Sequence, residues 1–191
     1  LLYGDILGLV VYSIEKIDFY RFKNYEKKIP EGTLLNTDKK TIPKIYLVVG
    51  ESAWRERMSI YGNTIPTTPF LDSLKSADSS AISYYKAISI ANMTRDAVRF
   101  SLSFANPNNR DAFWLENNIV EMAKKAEYAT TWLSNQGQAG VYDNYPSYVA
   151  RSSDQVYFEK ALIKDDLHLL NELKVNNYAG EKQFTVMHLM G

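Results

Sequence analysis

The residues best placed to do chemistry lie at the ends of predicted elements. Glu51 follows Ile45-Tyr46-Leu47-Val48-Val49-Gly50, a compact β-branched and aromatic run that suits a strand buried on both faces of a parallel sheet. Ligands collect beyond the carboxyl ends of such strands, so the Glu51 carboxylate would project into that crevice. Taken alone, an acid at this point is ordinarily a solvated loop residue or a helix cap. Thr94 opens the helical stretch Arg95 to Ala105, where unpaired N–H groups and a positive dipole end suit a phosphate. By itself it too reads as an ordinary cap, with Asn92 as the alternative. Ser134-Asn135-Gln136 follows a strand and reads as a polar turn, His188 stands on an apolar strand as a core histidine would, and His168 reads as a surface residue.

Converging such groups requires a layered fold. The 191 residues are 46% hydrophobic and 23% charged, enough apolar material for one ordinary core. Lys plus Arg and Asp plus Glu are both 22, which leaves no global basic field and argues against a nucleic-acid-binding module. The absence of cysteine excludes a disulfide scaffold, a thiolate metal site and a cysteine nucleophile. No apolar run reaches the roughly 18 residues that a spanning helix needs.

Residues 1–23 read as an amphipathic helical segment, either packed on the domain or lying at a membrane interface, and the Lys-rich stretch 24–43 reads as a linker. The domain proper spans 44–191. Its pattern predicts strands over 45–49, 82–88, 128–133 and 184–189, and helices over 69–75, 94–105, 117–127 and 165–175. Strands alternating with helices of about ten residues indicate an α/β layered fold. Leu1 at the start and the apolar run stopping at Gly191 are read as the ends of a fragment.

The stretch Val48 to Leu71 closely resembles the opening motif of the phosphoethanolamine transferases, membrane-anchored members of the alkaline phosphatase and sulfatase superfamily. Their pattern is a strand, G-E-S, a basic residue, M-S-x-Y-G and T-T-P-x-L. Here it is Gly50-Glu51-Ser52, Arg55 and Arg57, Met58-Ser59-Ile60-Tyr61-Gly62, and Thr67-Thr68-Pro69-Phe70-Leu71. Trp132-Leu133-Ser134-Asn135-Gln136 is similar to the W-x-S-N-Q segment of members that modify glycans and core sugars. The following Gly137-Gln138-Ala139-Gly140 lacks the lysine and cysteines usual in lipid A-modifying relatives. Ser153-Asp154-Gln155-Val156-Tyr157-Phe158 resembles a further family segment without an assigned role, and Val186 to Gly191 resembles the family's V-x-H-x-M-G element.

The resemblance implies a three-layer α/β/α sandwich of alkaline phosphatase type, truncated to the N-terminal part of a periplasmic catalytic domain. It implies that Thr94 is the nucleophile and that Glu51 and Thr94 are zinc ligands, since a hydroxyl pKa is too high for attack at neutral pH and a cation sharing the oxygen favours the alkoxide. His188 then falls where the family contacts the phosphate or a second zinc. Ser134, Asn135 and Gln136 would hold the zwitterionic head group or the acceptor, or else form only a polar turn. Arg55, Arg57 and Lys86 would steer phosphate or simply be solvated.

The implied parent takes phosphoethanolamine from phosphatidylethanolamine through a threonine-linked intermediate. It passes the group to a surface glycolipid or glycan, lipooligosaccharide core or lipid A, on the periplasmic side of a bacterial inner membrane to which N-terminal helices anchor it. The family's remaining Asp-His ligands lie past residue 191, so the piece itself is expected to be inactive and metal-poor. An exposed sheet edge and face suggest that it pairs with a second copy. The alternatives are a sulfatase or phosphodiesterase-type hydrolase, which the missing cysteine weakens, and a non-catalytic binding module of the same fold.

Overall fold

The computed structural model describes residues 10, 13, 17, 18, 20–22, 24–35, 42–80, 82, 87–136, 144–160, 165–175 and 181–190. Four strands, β1 (Lys44–Val49), β2 (Ala129–Ser134), β3 (Gln155–Phe158) and β4 (Gln183–His188), form one parallel sheet in the order β1-β4-β2-β3. The helices are α1 (Pro69–Ala77), α2 (Thr94–Ser101), α3 (Ala112–Leu115), α4 (Ile119–Lys125), α5 (Asn144–Ala150) and α6 (Leu167–Val175). The α/β class expected from the alternating pattern is therefore the observed one. Register places Val49, His188 and Ser134 in one row at the carboxyl ends of β1, β4 and β2.

Alternation along these strands builds the layers. Trp132, Phe184 and Val186 face a core completed by Val98 and Leu102 of the α2 region, Phe113 and Trp114 of α3, Val120 of α4, and Tyr145 and Val149 of α5. On the opposite face, Leu133 and Met187 pack against Leu169 of α6. Helices therefore cover both sides of the sheet. Tyr46 and Val48 of β1, on the α6 side, remain 48% and 55% exposed. Among the described residues, no helix is long and apolar enough to cross a membrane.

Several boundaries differ from those predicted, for local reasons. The predicted strand over 82–88 is not present at residues 82, 87 and 88, and its remaining positions lie outside the described residues. The Ala87 carbonyl accepts the Arg55 guanidinium at 3.1 Å, and Ile88 is 90% exposed. Helix α2 ends at Ser101 and not at Ala105, because the Ser103 hydroxyl folds back onto the Arg99 carbonyl and the Leu102 carbonyl accepts Ile119 N–H. Strand β3 and helices α3 and α5 are additional. α4 begins at a full capping box: Asn118 accepts from Val120 N and Glu121 N, while Glu121 accepts Asn118 N.

Residues 10, 13, 17, 18 and 20–22 are helical, and the rest of the 1–23 segment lies outside the described residues. Part of the stretch read as a linker is fastened to the domain: Lys28 bridges Glu116 in parallel, and Lys27 pairs with Glu121 at 2.9 Å over the Tyr148 ring. Burial pulls the Lys27 pKa below its ordinary value, although Glu121 opposes that shift.

Trp132 is the largest fully buried side chain and bridges β2 to the helical layer. Truncating Trp132→Ala is expected to destabilise the fold by about 3–5 kcal/mol, read as a lowered urea midpoint at unchanged m-value. A loss below about 1 kcal/mol would show that this side chain does not organise the core.

Candidate active site

The carboxyl rim of the sheet collects the polar residues. After β1 the chain turns through Gly50 and Ser52, and Ser52 holds the left-handed φ of +50°, unusual for a residue with a Cβ. The turn presents the Glu51 carboxylate to the first residue of α2. Thr94 Oγ1 donates to Glu51 Oε2 at 2.7 Å, across 43 positions of sequence. Met93 occupies the N-cap position and makes no side-chain cap bond, so neither Thr94 nor Asn92 caps this helix. The Thr94 hydroxyl is committed to the carboxylate and not to its own helix.

Helix α2 is fixed from behind by Arg99, which is 3% exposed. Its guanidinium donates to Tyr145 Oη at 2.9 Å and to the Arg110 carbonyl at 2.7 Å, and lies 4.3 Å over the Tyr145 ring. Stripping water from a guanidinium is costly, and these acceptors and the Tyr145 ring face replace part of that hydration.

Gln136 completes the arrangement around Glu51. Its Nε2 donates to Glu51 Oε2 at 3.3 Å and to the Leu189 carbonyl at 3.0 Å, joining the ends of β1, β2 and β4. Partial burial pushes the Glu51 pKa up, but hydrogen bonds from Thr94, Gln136 and Ser52 outweigh it and hold the carboxyl below its usual range. Glu51 is therefore a carboxylate at neutral pH.

The other predicted residues divide by direction. Ser134 is buried and its hydroxyl closes the local turn, accepting Gln136 N–H and approaching the Gln136 carbonyl, each at 3.1 Å. Asn135 is also buried and turns towards α6, donating from Nδ2 to Asp166 Oδ1 at 2.8 Å. His188 is 2% exposed, meets the Trp132 ring edge-on at 5.9 Å, and among the described residues finds no hydrogen-bond partner for Nε2. Burial lowers its pKa to about 4, against the opposing charges of Glu51 and Asp166. His168 lies apart, paired with Glu159 at 2.8 Å and within 3.1 Å of Tyr157 Oη. Arg55 is bonded to Ala87 and Arg57 stacks over Trp54 at 4.9 Å, while Lys86 lies outside the described residues.

The M-S-x-Y-G and T-T-P positions form a hydroxyl lattice rather than a reactive group. Ser59 Oγ bonds Asp72 Oδ2 and Thr68 Oγ1 and accepts Thr68 N–H, while Thr67 Oγ1 accepts Ser59 N–H and donates to the Arg57 carbonyl. This lattice fastens the loop after Glu51 to the start of α1. Asp166 was not singled out by the sequence: an acid in the pair Asp165-Asp166 before a helix carries no distinguishing signal.

A cavity of about 630 Å³ opens beside the reactive pair, its wall including Gly50, Ile88, Met93, Ala97 and Val98 together with Glu51 and Thr94. A carboxylate and a hydroxyl that meet at one point of the rim are hard oxygen donors of the type zinc accepts, and would supply two of the four ligands of a tetrahedral site once the hydroxyl proton is lost. Among the described residues, no group of three or more His, Asp or Glu could hold a metal ion.

Comparison with known proteins identifies relatives of the chain. The family model described as Sulfatase matches residues 43–191. Phosphoethanolamine transferase EptC of Escherichia coli K12 is 29% identical over 153 residues, covering 77% of this chain and 26% of the relative. Phosphoethanolamine transferase CptA of Salmonella typhimurium is 25% identical over 193 residues, covering 97% of this chain and 33% of the relative. The crystal structure of the C-terminal periplasmic domain of EptC from Escherichia coli, in complex with Zn, superposes with a TM-score of 0.74 at 26% identity. That match covers 87% of this chain and 48% of that domain. The chain thus spans between a quarter and a third of these curated relatives.

Two titrations follow from these contacts. Thr94→Val removes a donor to Glu51 and should raise the Glu51 pKa in a carboxyl NMR titration; an unchanged value would contradict the contact. His188 should remain neutral until the pH approaches 4. Its folded pKa lies below the ordinary 6.5, so the unfolded chain takes the proton first. Stability contributed above pH 6.5 should decline as the pH falls towards 4, in a profile that flattens in His188→Phe.

Proposed function

We propose, from the premise that this chain belongs to the Sulfatase family, that the intact protein transfers phosphoethanolamine from phosphatidylethanolamine to a surface glycolipid or glycan. The observation that carries this reading is the 2.7 Å contact between Thr94 Oγ1 and Glu51 Oε2 at the carboxyl rim of the sheet. The names of EptC, CptA and OpgE, all phosphoethanolamine transferases, support the transferred group. The periplasmic domain among the solved structures supports a periplasmic placement, on the outer face of a bacterial inner membrane.

In this reading Glu51 accepts the Thr94 proton in its hydrogen bond, and so aims an oxygen lone pair away from the carboxylate and into the cavity. Thr94 Oγ forms a bond to the phosphorus of the donor as the bond from phosphorus to the glycerol oxygen breaks, and diacylglycerol leaves with a proton. An oxygen of the acceptor then forms a bond to phosphorus as the bond from phosphorus to Thr94 Oγ breaks, and the proton given up by the acceptor restores the Thr94 hydroxyl. Gln136 keeps the Glu51 carboxylate oriented through both displacements. Glu51 and Thr94 would hold zinc, which when bound neutralises charge on the phosphoryl group and lowers the pKa of the hydroxyl.

The corresponding experiment uses the intact membrane protein with a labelled phosphatidylethanolamine donor. Thr94→Ala should reduce head-group transfer by roughly 10³-fold or more, and Thr94→Ser should retain part of it. Transfer unaffected by Thr94→Ala would remove this residue from the reaction. Release of free phosphoethanolamine with no acceptor modified would identify a hydrolase instead.

A further inference from the structure

One carboxylate outside the reactive pair is placed to set the geometry of the whole rim. Asp166, in the turn before α6, directs a single oxygen between the ends of two neighbouring strands. Its Oδ1 accepts Asn135 Nδ2 at 2.8 Å and the backbone N–H of Met190, also at 2.8 Å. These donors lie just past β2 and just past β4, where the ladder has ended. The same strand ends are tied to each other and to β1, because Asn135 N–H donates to the His188 carbonyl at 2.9 Å and Leu189 N–H donates to the Val49 carbonyl at 3.0 Å.

From Asn135 the chain passes directly to Gln136, whose amide bridges Glu51 Oε2 and the Leu189 carbonyl. Asn135 and Gln136 are therefore held from opposite sides of one strand end, Asn135 by Asp166 and Gln136 by the reactive carboxylate. Asn135 is completely buried, so its amide has no solvent to exchange for the lost acceptor. Removing Asp166 would free the Asn135 side chain and the Met190 N–H, leaving the backbone that aims Gln136 at Glu51 held only by the Asn135 N–H bond to His188 and the Gln136 N–H bond to Ser134.

We propose that Asp166 is a positioning residue for the transfer reaction: it clamps the β2 and β4 ends from the α6 side and, through Gln136, fixes the orientation of the Glu51 carboxylate. It touches neither substrate nor Thr94. The inference rests on the reading of Glu51 and Thr94 as the reacting pair, and one of its readouts is independent of activity.

The test compares Asp166→Ala, Asp166→Glu and Asp166→Asn in the intact protein. Asparagine keeps an Oδ1 able to accept both hydrogen bonds, so Asp166→Asn should restore transfer to near the wild-type rate. Alanine lacks the acceptor, and glutamate keeps the charge but displaces the oxygen by one methylene. Both should lower kcat about 10–100-fold with little change in KM for the donor. The Gln136 side-chain amide signals in a ¹H–¹⁵N spectrum should shift and lose protection from exchange in the same two variants. If Asp166→Ala does not fold, Asp166→Glu carries the comparison. Folded Ala or Glu variants with wild-type kcat and unmoved Gln136 signals would overturn the proposal. If the wild-type protein shows no transfer, the functional reading fails, while the Gln136 signals still decide whether Asp166 sets this geometry.

Discussion

The hydrogen bond from Thr94 Oγ1 to Glu51 Oε2 is the constraint on which the remainder of the site depends. It demands that the end of an edge strand and the start of a helix meet to within one hydrogen-bond length, although 43 positions separate them. Every major packing decision in the fold serves that meeting. The parallel sheet places three strand ends in one row, and the apolar face of Trp132, Phe184 and Val186 seats the helical layer that carries α2. Arg99 then holds α2 by its middle, which leaves the N-terminal turn of that helix directed at the rim.

A second requirement is electrostatic. Glu51 sits partly out of water, which on its own favours the protonated acid. Three donors reverse that preference, and each comes from a different source: the helix (Thr94), the β2 end (Gln136) and the adjacent turn (Ser52). A carboxylate that is ionised and oriented in advance does not have to reorganise when charge moves at the neighbouring oxygen. His188 shows the complementary case, in which burial beside Trp132 keeps an imidazole uncharged at the same rim.

Much of this was legible in the residues. The apolar run before Gly50 marks β1 to within a residue, and β4 follows from an equally local signal. Thr94 was marked out only by its motif, since its position at the head of a helix reads equally well as a cap; the geometry excludes the cap by placing Met93 in the capping position. Asn135 and Gln136, adjacent in sequence, could not be separated in advance. Alternation past the end of β2 sends one towards α6 and the other towards Glu51, and that divergence depends on where the strand stops. Asp166 was invisible for a related reason, because its partners come from two other elements and nothing in its own neighbourhood records them. The predicted strand over 82–88 shows the opposite failure: a β-favouring composition at positions 82, 87 and 88 finds no ladder, and the Ala87 carbonyl is bonded to Arg55 instead.

The central claim is that Thr94 carries the group in transit and that Glu51 makes it able to do so. Tandem mass spectrometry of the intact protein, quenched during turnover with phosphatidylethanolamine, addresses this directly. The account predicts a phosphoethanolamine adduct on the Thr94 side chain that is absent from Glu51→Gln. Turnover with the adduct on any other residue, or an undiminished Thr94 adduct in Glu51→Gln, would contradict it.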